Sequence, residues 1–402
     1  MKVKNNLHLS YCTNIHPGES WEEVMNGLNV HLLKVRSEVS PQSPFGIGLR
    51  LSDLSSRELL EQPKLEEFKS WLKQEQCYVF TMNGFPFGKF HKQRVKDGVH
   101  LPDWTTDERT KYTQRLFQIL AELTNEGEHA GISTSPISYK PWYKSEAELN
   151  VVKEKAVHNL ITIVAQLHDI YDQKGKLLHL DIEPEPDGFL ENTQDVINFY
   201  NEYLLPVGSR LLIKEKQLSK AVAEEAIRTH IQLCYDVCHY ALAYEEPKDV
   251  VSAMKKEGIR IGKVQISAAL KTLIPSSQTE KSRVKESFIP FTESTYLHQV
   301  AAINANQELK KYRDLPEALN ALDGSDAVEW RTHFHVPVFM AAFKNHQSTN
   351  NEIVKLLNIL KEEHFTEHLE VETYTWEVLP EELKTDITGS IIRELLWVKE
   401  QL

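Results

Sequence analysis

Short apolar segments alternate with longer amphipathic segments along the whole chain of 402 residues. The short segments have the length of buried strands, and the long ones carry apolar residues at helical spacing. The predicted strands cover residues 7–13, 45–51, 77–82, 129–134, 177–183, 231–236, 262–267 and 368–375. Eight strand–helix units in succession predict an α/β fold of the (β/α)₈ barrel type, which needs about 250 residues and tolerates insertions.

The chain is longer than eight minimal units require, and the excess lies in two polar segments. One follows the third predicted strand and runs to Trp104, and the other, at about residues 270–338, follows the seventh and is expected to be irregular. In this fold the segments that follow the strands lie at the C-terminal face, where active sites are built. We therefore expect one barrel domain, residues 1–402, with long loops after strands three and seven; two domains are the alternative.

Composition and charge exclude several classes of function. The formal net charge is −12 and no basic stripe is present, so a nucleic acid is not an expected partner. No run of about 18 apolar residues predicts a transmembrane helix, and the N-terminus lacks the apolar core of a secretory signal. The few, widely placed cysteines are typical of reduced thiols. We expect a cytoplasmic protein whose partner is a small-molecule metabolite.

Alternation along the strands predicts which side chains point into the barrel. Successive side chains of a strand point to opposite faces, so when the apolar ones face the helices, every second residue faces inward. At the C-terminal ends of strands five to eight this places four polar side chains inward, namely Glu183, Asp236, Gln265 and Glu372. Asp181 and Glu370 also face inward, and for both of them a pair with a basic side chain is preferred to metal ligation.

Carboxylates that meet at one mouth of the barrel would repel one another and raise each other's pKa. A divalent cation resolves that conflict and takes the oxygens as ligands. His239 begins the loop after strand six, and His333 and His335 alternate along an extended segment, so these three could add nitrogen ligands. A single glutamate at a strand end is usually solvated or paired, and His333 and His335 could be ordinary loop residues. The coincidence on four strands favours a metal centre.

The loops around this mouth contain candidate substrate contacts. Asn14 follows the first strand on its inward face, and His16 lies in the loop after it; both are predicted to touch substrate. Residues 83–91 mix aromatic residues and glycines with His91, and they could stack on a sugar ring or form a packed surface loop. Trp376, after the last strand, is the fourth predicted substrate contact.

The strand-end residues resemble those of the xylose isomerase-like barrel superfamily. The resemblance rests on a glutamate at strand five, the Asp236-x-x-His239 pair at strand six, and a glutamate at strand eight. That superfamily includes sugar isomerases, sugar epimerases and repair nucleases of the endonuclease IV type. His333 and His335 resemble the pair that binds a further zinc in the nuclease branch, with histidine in place of aspartate.

The resemblance implies a shared set of metal ligands, which in this chain are Glu183, Asp236, Gln265 and Glu372. The superfamily usually has histidine where this chain has Gln265. A neutral amide oxygen binds Mg²⁺ or Mn²⁺ acceptably but Zn²⁺ poorly, so Mn, Mg and Zn all stay open as the cofactor.

Two end motifs resemble the EboE family of metabolite-traffic proteins. They are YCTNIHPGE at residues 11–19 and ETYTWEVLP at residues 372–380, and the likeness extends over nearly the whole chain. It implies a role in the handling or export of precursors of secondary metabolites.

Three functions compete at this point. The first is a metal-dependent isomerase or epimerase of a sugar or sugar phosphate, with Glu183 and Glu372 as the catalytic groups that transfer protons. The second is a non-enzymatic barrel that binds or carries a metabolite. The third is a metal-dependent phosphodiester hydrolase, which the three histidines suggest and which the acidic charge disfavours for a nucleic-acid substrate.

Overall fold

The computed structural model describes residues 1–88, 96–292, 295–373 and 386–402. Eight parallel strands follow one another around a nearly closed barrel, and a single bridge from Cys12 to Gly48 joins the first strand to the second. The predicted (β/α)₈ barrel is therefore confirmed. The strands are β1 (His8–Tyr11), β2 (Phe45–Arg50), β3 (Cys77–Asn83), β4 (His129–Thr134), β5 (Leu177–Ile182), β6 (Ile231–Asp236), β7 (Ile261–Ile266) and the last barrel strand (His368–Val371).

Helices cover the outside of the barrel because each carries one apolar face. In the longest of them Val157, Leu160 and Val164 recur at helical spacing, and all three are fully buried. The helices up to β7 are α1 (Trp21–Gly27), α2 (Leu33–Val39), α3 (Asp53–Leu59), α4 (Lys64–Gln74), α5 (Asp107–Leu123), α6 (Glu146–Lys174), α7 (Thr193–Phe199), α8 (Leu205–Lys216), α9 (Lys220–His230), α10 (Val237–Leu242) and α11 (Pro247–Glu257). No helix in the described ranges is both long and apolar enough to cross a bilayer.

The segment after β7 is not irregular, and that expectation was wrong. It forms a second sheet, which is antiparallel, together with two helices. Its elements are β8 (Ala269–Leu273), α12 (Gln278–Phe288), β9 (Val300–Asn304), β10 (Leu309–Tyr312), α13 (Leu315–Ala321), β11 (Ala327–His335), β12 (Ala342–Phe343) and β13 (His346–Ser348). The strands lie in the order β10-β9-β11-β8-β13-β12. Polar residues on the exposed faces of β10 and β11 hide the strand pattern in the sequence. The chain then returns through α14 (Asn350–Glu363) to the last barrel strand, β14, and ends in α15 (Ile387–Gln401).

The interior of the barrel is polar along its length, whereas such interiors are usually filled by branched apolar side chains. Two strands show this, since β5 and its end present His179, Asp181 and Glu183 inward, and β14 and its end present His368, Glu370 and Glu372. At the middle level Glu370 Oε2 lies 2.6 Å from the Nζ of buried Lys263, so the predicted pair with a basic side chain is present. Asp181 Oδ1 lies 2.6 Å from His179 Nδ1.

Candidate active site

Three carboxylates meet at the C-terminal end of the barrel. Glu183 follows β5, Asp236 ends β6 and Glu372 follows β14, and one oxygen of each lies within 4.8 Å of the others. Their exposed fractions are 2%, 0% and 6%. The alternation of the strands therefore does bring these side chains together at the mouth, out of bulk water.

Gln265 on β7 completes the cluster. Its Nε2 donates to Glu183 Oε1 at 3.2 Å and to Asp236 Oδ2 at 3.4 Å, and it also contacts Glu372 Oε2. A primary amide has two N–H groups and no charge, so it cannot neutralise three carboxylates. A half-turn of this amide would instead present Oε1, which now accepts from Cys234 Sγ at 3.1 Å, to the centre of the cluster.

Buried carboxylates this close together repel one another, and a positive charge among them would stabilise their ionised form. Burial, followed by the charges of Asp236 and Glu370, raises the pKa of Glu372 to about 8. Burial and the nearby Glu372 and Asp236 charges hold the pKa of Glu183 well above its ordinary value. Within the described part of the chain, Glu183 Oε2 is buried and has no hydrogen-bond partner. Buried carboxylates with an amide oxygen at hand fit a hard divalent cation.

The Asp236-x-x-His239 spacing has a structural cause. Asp236 caps the N-terminus of α10, where its Oδ1 accepts from the His239 backbone N–H at 3.1 Å and from Ser267 Oγ at 2.7 Å. The cap fixes the direction of the carboxylate. It also places the His239 side chain one turn later, beside the same mouth.

Three histidines form a second donor set next to the carboxylates. In each, Nδ1 lies 2.9 Å from an oxygen, which is Pro184 O for His239, Gln299 Oε1 for His333 and Glu372 O for His335. A ring that donates from Nδ1 keeps its lone pair on Nε2, the arrangement that supports metal ligation. His239 Nε2 and His333 Nε2 lie 3.1 Å apart.

Burial favours the neutral form of these rings, which is the form that binds a metal. Burial lowers the pKa of His239, and burial together with neighbouring histidines lowers the pKa of His333 well below its ordinary value. Burial lowers the pKa of His335 to about 4. Asp236, His239 and His335 also offer atoms within 4.8 Å of one another. Asp236 is thus placed between the two donor sets.

A pocket lies over the carboxylates, and Asn14 is part of its wall. Asn14 Nδ2 and Asn83 Nδ2 donate to Glu372 Oε1 at 2.8 and 3.0 Å, which anchors one oxygen of that carboxylate. Glu183, Glu372, His239 and His333 reach the pocket surface, together with Phe85 and other apolar groups. Asn14 therefore lies at the mouth of the barrel.

Two lining residues escaped the sequence analysis. Glu185 Oε1 and His100 Nε2 lie 3.1 Å apart, and both side chains are buried in the pocket wall. Burial lowers the pKa of His100 to about 3, and burial with the charge of Asp236 raises that of Glu185 well above normal. Glu185 follows the strand end by three residues and His100 lies in the loop after β3, so strand alternation says nothing about either.

The structure does not bring His16 to this pocket. His16 Nε2 lies 2.9 Å from Tyr11 Oη, and its ring stacks on His31 with centroids 4.5 Å apart. It faces a separate small cavity between the loop after β1 and α1. His91 and Trp376 lie outside the described residues, as does the late motif from residue 374 onward.

No protein-family model matches the chain, and no curated protein matches it. Among solved structures, a xylose isomerase-like TIM barrel protein from Mycobacterium smegmatis in complex with magnesium aligns with a TM-score of 0.51 at 10% identity. The alignment covers 100% of this chain and 98% of that one. A D-tagatose 3-epimerase-like protein aligns with a TM-score of 0.49 at 10% identity over 98% and 97% of the two chains. The IolI protein with a zinc atom aligns with a TM-score of 0.46 at 11% identity, over 98% of both chains.

The likeness to the first of these, a xylose isomerase-like TIM barrel protein, agrees with the (β/α)₈ barrel described above. At 10% identity it shows the fold alone. The magnesium and the zinc are properties of those proteins.

Proposed function

We propose that this chain is a divalent-metal-dependent isomerase or epimerase acting on a small polyhydroxylated metabolite of the sugar or sugar phosphate class. One observation carries the proposal: Glu183, Asp236 and Glu372 bring buried oxygens within 4.8 Å of one another at the mouth of the barrel. Gln265 is the neutral donor among them, and a pocket with both polar and apolar lining residues lies above.

The residues present fit a cation. Glu183, Asp236 and Glu372 would hold it through oxygen, with the amide oxygen of Gln265 as a fourth donor. A divalent cation held there supplies positive charge beside the oxygens of a hydroxyketone while a proton leaves the neighbouring carbon. The donor set suits Mg²⁺ or Mn²⁺, and the adjacent histidines His239, His333 and His335 add a subsite suited to Zn²⁺.

Proton transfer falls to the two glutamates. Glu372 is anchored through Oε1 by Asn14 and Asn83, and burial with the charges of Asp236 and Glu370 raises the pKa of the metal-free side chain to about 8, which favours proton uptake. Glu183 extends from the end of β5, which β6 and β7 separate from β14, and it keeps one oxygen without a protein partner among the described residues. We assign the two carboxylates to the removal and return of the substrate proton.

The histidine set favours one second candidate, a metal-dependent phosphodiester hydrolase. Two neighbouring metal subsites, joined by Asp236, can hold both the attacking and the leaving oxygen of such a reaction. The net charge of −12 argues against a nucleic-acid substrate. The EboE-like end motifs support a role in metabolite handling. That role is compatible with an isomerase or epimerase, with a hydrolase and with a carrier.

Hydrogen–deuterium exchange distinguishes these functions. The protein, loaded with Mn²⁺, is incubated in D₂O with a panel of ketoses, aldoses, cyclic polyols and their phosphates, and carbon-bound deuterium is followed by NMR. The proposal expects deuterium at the carbon next to a carbonyl for at least one compound. Binding of a panel member without any exchange would mark a carrier, and release of phosphate from a model phosphodiester would mark a hydrolase. Either result contradicts the proposed reaction.

The raised pKa of Glu372 predicts how stability and metal binding depend on pH. Its pKa is about 8 in the folded protein and lies at the ordinary value of 4.5 in an unfolded chain, so the folded state holds the proton more tightly. In metal-free protein this contribution to stability is complete below pH 4.5 and is lost as the pH rises through about 8. A cation competes with the same proton, so metal affinity should rise over that interval.

Thermal unfolding at several pH values tests this dependence. The increase in Tm that Mn²⁺ produces should grow between about pH 5 and pH 8. The Glu372→Gln variant, which lacks the titrating group, should show a flatter dependence. An equal increase in Tm at every pH in the wild-type protein would contradict the assignment.

A further inference from the structure

Three more histidines meet at the opposite, N-terminal end of the barrel. His129 begins β4, His368 begins β14 and His179 lies near the start of β5. One ring nitrogen of each lies within 4.8 Å of the other two. His179 and His368 are 2% and 1% exposed, and His129 is half-buried at the rim.

Carboxylates orient two of these rings. Asp181 Oδ1 lies 2.6 Å from His179 Nδ1, and Glu367 Oε2 lies 2.8 Å from His129 Nε2. A carboxylate accepts the N–H of the nitrogen that it faces, which leaves the lone pair on the other ring nitrogen. Pairing of this kind is the usual support of a metal-binding histidine.

The third ring lacks such support. Both nitrogens of His368 are buried, and neither has a hydrogen-bond partner within the described ranges. A buried polar group without a partner is costly and calls for an explanation. A cation held between the three rings would accept the lone pair of one His368 ring nitrogen and so give that nitrogen a partner.

The spacing of the rings fits one shared ion. The centroids of His129 and His368 lie 4.9 Å apart, those of His179 and His368 5.5 Å, and those of His129 and His179 6.3 Å. Imidazole nitrogens about 2.0–2.1 Å from a tetrahedral zinc place ring centroids roughly 5 Å apart. The set of His239, His333 and His335 has nearly the same spacings, at 4.8, 5.7 and 6.2 Å.

Two glycines make room for the oriented ring. A Cβ on Gly262 of β7 would lie 2.0 Å from Asp181 Oδ1 and 2.7 Å from His179 Nδ1. A Cβ on Gly131 of β4 would lie 2.3 Å from His179 Cε1. Any side chain at either position would displace the pair of His179 and Asp181. An ion can approach from below, because a cavity of about 880 Å³ at this end includes His129 and His179 in its wall.

We propose that His129, His179 and His368 form a binding site for a borderline divalent cation such as Zn²⁺, Co²⁺ or Ni²⁺. Three imidazoles select such ions over Mg²⁺ and Ca²⁺, which prefer oxygen ligands. Asp181 is a positioning residue that acts through His179. The site is independent of the proposed reaction at the other mouth and shares no ligand with it.

Zinc counting on the full-length protein tests the proposal. Metal-stripped protein is loaded with Zn²⁺, passed through gel filtration into metal-free buffer and measured by elemental analysis. His368→Gln and His179→Gln should each bind one zinc fewer per chain than the wild type. Asp181→Asn keeps the three ligands but should weaken zinc binding at this site about 10- to 100-fold. His364→Asn, an exposed residue of the same cavity, is the matched control and should leave the count unchanged.

An unchanged zinc count in folded His368→Gln protein would overturn the site. If circular dichroism shows that this variant does not fold, His129→Gln is measured in its place, because that side chain lies at the rim. An unchanged count there would overturn the site equally. The loss of one zinc in His364→Asn would also contradict the assignment, since it would make the effect unspecific.

Discussion

The Glu372→Gln variant will exchange the substrate proton at least about 10³-fold more slowly than the wild-type protein at saturating metal. The amide keeps the shape of the side chain and can still accept hydrogen bonds from Asn14 and Asn83 at Oε1. It can neither take up a proton nor contribute a negative charge to the cation. The rate is measured by deuterium incorporation in the panel experiment, and thermal unfolding checks that the fold persists.

The matched control for this variant is Glu362→Gln. Glu362 is exposed on α14 and lies outside the pocket. The Glu362→Gln variant should therefore exchange the substrate proton as fast as the wild-type protein. Metal content is determined for both variants, so that a slower reaction is not confused with an empty site. Retention of more than about a tenth of the rate by metal-loaded Glu372→Gln would remove that carboxylate from the chemistry.

The Gln265→His variant will bind Zn²⁺ about 10- to 100-fold more tightly than the wild-type protein, with little gain for Mg²⁺. An imidazole nitrogen is a softer and stronger donor to zinc than an amide oxygen. Position 265 already reaches Glu183, Asp236 and Glu372, so the new ring would face the same cation.

Zinc affinity is measured by competition with a chromophoric chelator. Gln265→Leu is the companion variant, because it removes the donor without adding another and should weaken binding of every divalent ion. If the histidine and leucine variants have equal zinc affinity, the side chain at position 265 is not a ligand.

Alternation explains why the barrel and its carboxylates were predictable. In β4 and β6 the predicted strands have the bounds of the observed ones, since apolar residues on the helix side leave polar ones facing inward. Parallel strands deliver their ends to one mouth, so Glu183, Asp236 and Glu372 had to converge once the barrel closed. The pair of Glu370 with Lys263 follows from the same rule, although only the structure identifies the partner.

What escaped prediction depends on contacts between distant parts of the chain. His333 and His335 were predicted as candidate donors. Their position depends on β11, a strand whose pattern in the sequence is hidden by exposed polar residues. Gln299, which orients His333, follows from that sheet as well. The pair of His100 and Glu185 joins a loop after β3 to a loop after β5, a proximity that no local pattern encodes.

The most direct test of the central claim is an anomalous diffraction experiment on crystals soaked with Mn²⁺. The account predicts a peak within about 2.6 Å of carboxylate oxygens from Glu183, Asp236 and Glu372, with Gln265 Oε1 turned toward it. Crystals that take up Mn²⁺ elsewhere, and show these three carboxylates holding only protons and water, would contradict it.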